Sequence, residues 1–187
     1  MRLLVIAVVL ALVAAACGSG EAAPPAAPPT LGAASLPELD SRARTLDAAS
    51  LASDSLAPAA LEELLGEVGY LTGREREFSG KTTTFDHVVA RSLVFATPEG
   101  ADAYLGWLRG HGDDVLGRAA PAAVAPPAPG GVVFTLARCG TCKKELPTFL
   151  AGWRRGATVL TLLAAGSGVN PERFTALVDE LDGAASA

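Results

Sequence analysis

VVFTLARCGTCKKELPTFLAGWRRG, Val132–Gly156, is the stretch on which the fold turns. Its first six residues, Val132–Ala137, are an apolar strand candidate. The rest of the stretch, from Arg138 to Gly156, has two readings. Leu146, Phe149, Leu150 and Trp153 have helical spacing, with Gly156 as C-cap. Phe149, Ala151 and Trp153 also alternate on one face of a strand, which Arg154-Arg155-Gly156 turns back with Gly156 at a positive φ. The strand reading makes Cys139–Lys144 a disulfide-clipped turn and Ala157–Ala165 the next antiparallel strand.

The flanking segments favour an antiparallel sheet. Leu61, Leu64, Leu65 and Val68 share one face of a short helix that Gly69 can end. Tyr70–Ser79 is polar and alternating, with Arg74 and Arg76 facing away from Glu75 and Glu77. Thr84–Ala96 is the clearest strand: Phe85, His87, Val89, Arg91, Leu93 and Phe95 share one face, and Val88, Ala90, Ser92 and Val94 the other. Thr97-Pro98-Glu99 reads as N-cap, N1 proline and first-turn acid of a helix carrying Ala101, Tyr104, Leu105 and Leu108. Asn170-Pro171-Glu172 opens a last helix with the stripe Phe174, Leu177, Val178 and Leu181. The expected class is α+β, an antiparallel sheet with helices packed on one face in two layers.

Half of the residues are hydrophobic and only 5% are aromatic, so the core is aliphatic. The chain carries 15 Lys+Arg against 20 Asp+Glu, net −5. An acidic balance argues against non-specific nucleic-acid binding and against electrostatic docking on anionic lipid. Residues 18–35 are Ala, Pro, Gly and Ser with almost no bulky side chain and read as a disordered tether. Leu36, Leu39, Ala43 and Leu46 have helical spacing but weak support. The expected organisation is therefore residues 1–16 as signal, 17–57 as tether and 58–187 as one domain, with an Ala/Pro-rich loop at 117–131.

The N-terminal MRLLVIAVVLALVAAACGSG has one basic residue, Arg2, an apolar run Leu3–Ala16, three alanines and then Cys17. The run is too short to span a bilayer, which takes about 20 apolar residues. Ala14-Ala15-Ala16-Cys17 resembles the lipid-attachment signal of bacterial lipoproteins. That family most often has Leu, Val or Ile where this chain has Ala14; the rival is ordinary secretion, with Ala14-Ala15-Ala16 as the cleavage site. The resemblance implies a diacylglyceryl group on the Cys17 sulfur and a protein held on the extracytoplasmic face of the cell membrane by its lipid alone. Gly152–Gly166 with the capped helix after it also loosely resembles the C-terminal ends of small lipoproteins from high-G+C Gram-positive bacteria.

With Cys17 lipidated, Cys139 and Cys142 remain as a pair in an oxidising compartment, where a disulfide is expected. Their surroundings, an apolar strand, C-G-x-C, Lys143 and then Pro147, resemble the active site of thioredoxin-like proteins. That resemblance implies a truncated thioredoxin-like α/β half and a thiol–disulfide oxidoreductase, with Cys139 as nucleophile and Cys142 as resolving thiol. Against it, Arg138 stands where the family has an aromatic residue. The residues after Gly168 are taken up by the last helix, with no cis-proline loop and strand pair to complete a thioredoxin site. The structural clip is the reading adopted.

Other candidates carry less. A lone CxxC is half a zinc site, and His87 and His111 lack the spacing to complete it, so no metal is expected. His111 with Asp113 and Asp114 reads as a solvated helix end, and Gly166-Ser167-Gly168 as a strand-to-helix turn. Arg91 is the odd polar residue of an apolar strand; it lies at an edge, pairs with Glu75 or Glu77, or meets an anionic ligand. Together these readings give a lipid-anchored, non-catalytic binding or envelope-interaction module with no cofactor.

Overall fold

The strict alternation of Thr84–Ala96 puts two apolar faces on one strand, and a strand apolar on both faces needs cover on both. In the computed structural model, which describes residues 27–136 and 146–186, this strand lies in the middle of a seven-stranded antiparallel sheet. The strands are β1 (Asp40–Leu46), β2 (Tyr70–Ser79), β3 (His87–Phe95), β4 (Ala119–Pro121), β5 (Val132–Leu136), β6 (Thr148–Arg155) and β7 (Thr158–Ala165). Their order across the sheet is β1-β2-β3-β7-β6-β5-β4. Two meanders, β1 to β3 and β4 to β7, meet where β3 pairs with β7.

The helices are α1 (Ala48–Ser53), α2 (Pro58–Glu67), α3 (Pro98–Gly110), α4 (Gly112–Leu116) and α5 (Pro171–Ser186). Their ends obey the local chemistry of the sequence. The Thr97 hydroxyl accepts from the Gly100 amide at 3.1 Å, and Asn170 Oδ1 accepts from the Arg173 amide at 2.9 Å. Each satisfies a first-turn N–H that has no partner inside the helix. Pro98 and Pro171 stand at N1, where a missing N–H costs nothing.

The α+β class and the antiparallel sheet are as expected, and the structure adds a third layer. Val88, Ala90, Leu160, Leu162, Ala151 and Trp153 face α5, whose Phe174, Leu177, Val178 and Leu181 are buried against them. Leu93, Phe95, Val159 and Leu150 face α1, α2 and α3 on the opposite side. An apolar stripe says that a helix has a buried face but not which side of the sheet it covers.

Three expectations are corrected. The first is the thioredoxin-like half: Thr148–Arg155 is a strand, in register with β5 and β7, where that fold needs a helix. Gly156 (φ 59) begins the two-residue turn to β7, because only glycine adopts that conformation at no steric cost.

The second is the tether to residue 57 and a domain beginning at 58. Leu31, Leu36 and Leu39 are buried in the α5-side core, the Ser92 hydroxyl donates to the Pro28 carbonyl at 2.6 Å, and β1 is an edge strand of the sheet. Asp40-Ser41-Arg42-Ala43-Arg44-Thr45-Leu46 has no apolar alternation because six of its seven residues are exposed. The helical spacing of Leu36, Leu39, Ala43 and Leu46 is therefore accidental; a 3₁₀ turn (Ala33–Ser35) and β1 occupy the segment.

The third is the loop at 117–131, which contains the short edge strand β4 and packs Ala122, Val124 and Ala128 on the core.

Candidate functional site

Arg91, the polar residue in the middle of β3, leads to the site. Strand register sets Arg44 of β1 opposite Glu75 of β2, and Glu75 opposite Arg91, so the three side chains stand in one row on the α1–α3 side of the sheet. Arg44 Nε donates to Glu75 Oε1 at 2.6 Å and Arg91 Nε to Glu75 Oε2 at 2.7 Å. Asp54, the C-cap of α1, closes the arrangement: its Oδ2 accepts from Arg44 Nη2 at 2.8 Å and from Arg91 Nη2. The result is a ring of two guanidinium and two carboxylate groups.

The Glu75 side chain is only 4% exposed. Burial alone would raise its pKa, but the hydrogen bond from Arg44 and the charge and hydrogen bond of Arg91 outweigh it and hold the carboxyl below its ordinary value. Arg44 is held above its ordinary value, mainly by the hydrogen bond to Glu75. Both arginines are therefore oriented from beneath by a fixed anion.

The ring is one wall of a cleft of about 290 Å³, at the low end of small-molecule sites, which run from roughly 300 Å³ upward. Val89, Leu163 and Leu150, in register on β3, β7 and β6 one pair further along the strands, give it an apolar floor. Thr161 lies beside Arg91, Val115 of α4 adds another apolar side chain, and Glu77 and His87 complete the lining, with His87 Nδ1 3.7 Å from Glu77 Oε1. A second hollow of about 30 Å³ reaches Leu51, Leu61, Tyr104, Trp107 and Leu108. Asp54, Arg91, Val115, Leu150 and Thr161 line both spaces, so the Arg91–Asp54 ion pair lies on their shared boundary. The Leu56 amide donates to the Asp114 carbonyl at 2.8 Å and ties the α1–α2 loop to α4.

Arg91 pairs with Glu75, one of the partners the sequence suggests for it. His87 lines the cleft, but His111 stacks on Trp107 at 4.9 Å at the end of α3, and the two are not brought together. Asp113 accepts from the Ala119 amide, in keeping with a helix end. Among the described residues no group of three or more His, Cys, Asp or Glu side chains is placed to hold a metal ion. The amides of Gly166 and Gly168 donate to the Pro147 and Thr84 carbonyls, and a Cβ at either would lie 2.3 Å from a carbonyl oxygen of the 83–84 turn. Close backbone packing accounts for these glycines. Cys17, Cys139 and Cys142 lie outside the described residues, and so do the lipid attachment, the disulfide and the redox chemistry expected of them.

Sequence reading missed Asp54 and Arg44 because both fall in the stretch taken as tether. A signal was present: Arg42-Ala43-Arg44 is the charge complement of Glu75-Arg76-Glu77, the pattern of two adjacent antiparallel strands.

No protein-family model matches the chain, and no curated protein matches it in sequence. Among solved structures it is similar to the extracellular domain of PknH from Mycobacterium tuberculosis, with a TM-score of 0.59 at 11% sequence identity, over 84% of this chain and 93% of that one. At that identity the likeness is one of fold.

Proposed function

We propose that this chain is a lipid-anchored extracytoplasmic module that binds a small ligand, without transforming it, in the cleft beside the Arg44–Glu75–Arg91–Asp54 ring. The observation that carries the reading is the cleft itself, an apolar floor walled by charged groups that hold one another in place. Convergent polar groups over an apolar surface are what orients a small molecule. The extracytoplasmic address is supported by the signal-like Leu3–Ala16 and Cys17, and by the fold shared with an extracellular domain. Among the described residues no helix is long and apolar enough to cross a membrane.

Pro28, where the described chain comes up from Cys17, is bonded to Ser92 on the α5 side of the sheet, whereas the cleft opens on the α1–α3 side. Residues 18–27 span at most about 35 Å when fully extended. An anchored chain would thus keep its domain near the bilayer, tethered from the face opposite the cleft.

The test is Cys17→Ala. Metabolic labelling with palmitate should mark the wild-type chain and not the variant, and the variant should leave the membrane fraction. Equal labelling, or retention of a signal-cleaved variant in detergent-free membrane pellets, would refute the anchor.

A further inference from the structure

The two arginines of the cleft wall are held more firmly than their outer partner. Each is fixed through Nε by Glu75, which is buried and cannot leave. Asp54 meets the outer edge with a single oxygen, Oδ2, shared between both Nη2 groups. No acceptor among the described residues meets either Nη1. Asp54 is the more accessible of the two carboxylates, its side chain 31% exposed at the end of a six-residue helix against 4% for Glu75. Guanidinium N–H edges fixed from behind by a carboxylate are the kind of donor that receives a carboxylate or phosphate in bidentate fashion.

We propose that the outer edges of Arg44 and Arg91 are an oxyanion site that Asp54 fills from within the chain, and that the carboxylate or phosphate head of a small amphiphile displaces Asp54 there, its apolar body resting on Val89, Leu150 and Leu163. The inference rests on the reading of the cleft as a ligand site. A carboxylate head exchanges one negative charge for another and a phosphate head adds up to about one more, while Glu75 stays held by both Nε groups in either case. Asp54 needs only to turn its side chain outward, since the backbone there is held by Leu56 on Asp114. Its departure opens part of the boundary between the cleft and the hollow beside Trp107, which Asp54 and Arg91 share with Val115, Leu150 and Thr161. Val89, Leu150 and Leu163 give the rest of the ligand an apolar surface, so its charge belongs at the end that meets the arginines.

The test titrates the full chain with hexanoate, hexyl phosphate and neutral hexanamide, reading ligand-observed NMR and tryptophan emission. Trp107 borders the hollow; the other tryptophan, Trp153, is buried on the opposite face and bonded to Asp182. Both anions should bind and hexanamide should not, and the tighter of the two identifies the head group. Asp54→Asn, which removes the internal competitor, should tighten the anions by about tenfold, and Arg44→Gln should weaken them by about tenfold. Arg42→Gln, one register step away and in the same charge class, should change affinity less than about twofold, since exposed charges are screened. Hexanamide bound as tightly as hexanoate would overturn the oxyanion site and leave the cleft reading standing. No binding of any probe to wild type or Asp54→Asn would overturn both. Equal weakening by Arg42→Gln and Arg44→Gln would reduce the effect to net charge and overturn the fork.

Discussion

Glu75→Gln tests the physical core of the site, because it removes one charge from a buried carboxylate while keeping its shape. The variant leaves Arg44 and Arg91 facing each other with Asp54 as their only anion. Removing one partner of a fully buried ion pair costs about 3–5 kcal/mol, but that range applies where both charges are out of water. Arg44 has 41% of its side chain exposed, so after screening its share is no more than about 1 kcal/mol. Arg91 is 18% exposed and loses a charge-assisted hydrogen bond of about 2 kcal/mol. The expected loss at pH 7 is therefore about 3 kcal/mol, read from urea unfolding midpoints at unchanged m-value.

The difference should also depend on pH, with a definite sign. Glu75 titrates below its ordinary value of 4.5 in the folded chain. Its stabilisation is therefore fully present above pH 4.5 and lost as the pH falls through the lower folded value. Wild type and Glu75→Gln should differ by a constant amount from pH 5 to 7, and the difference should shrink steadily as the pH falls below 4.5. A loss under about 1 kcal/mol, or a difference that does not shrink in acid, would show that solvent rather than Glu75 compensates the arginines.

Three further substitutions probe the rest of the chain. Leu31→Ala should cost about 2–5 kcal/mol by urea unfolding, because Leu31 is 1% exposed in the α5-side core; a free tether would lose nothing. Asp182→Ala removes the acceptor of the buried Trp153 indole N–H, 2.8 Å away, and the partner of Arg155, so a loss of about 1–3 kcal/mol with altered near-UV circular dichroism is expected. Cys139→Ser combined with Cys142→Ser should remain folded and lose only about 2 kcal/mol by chemical denaturation, since a disulfide closing so short a loop removes little entropy from the unfolded chain.

What the sequence makes legible is what short-range chemistry dictates. β3 is readable because Val, Leu and Phe alternate on both its faces, α3 and α5 because Thr97-Pro98 and Asn170-Pro171 are helix starts, and the β6–β7 turn because Gly156 comes after two arginines at the end of an alternating run. β1 is not readable by the same rule. Only Leu46 of that strand is buried, and its place in the sheet is set by Arg42 and Arg44 lying across from Glu77 and Glu75. The N-terminal leucines are hidden for a related reason: Leu31, Leu36 and Leu39 sit among Ala, Pro, Gly and Ser, and no local period announces that they cap a sheet face.

The candidate site divides along the same line. Arg91 is conspicuous because a guanidinium in an apolar strand requires a carboxylate, and the sequence offers two within one strand, Glu75 and Glu77. The register, which only the folded sheet sets, selects Glu75. Asp54 has no such signal, since an acid after a short helix is ordinary. Its role rests on the 2.8 Å contact with Arg44 and the shared oxygen on Arg91. Long-range pairing thus turns an unremarkable surface acid into the one member of the ring that can leave. The strength of the site then depends on the asymmetry between its carboxylates. Glu75, buried and accepting from both Nε groups, sets where the arginines point; Asp54, a third exposed, leaves their outer edges open to exchange.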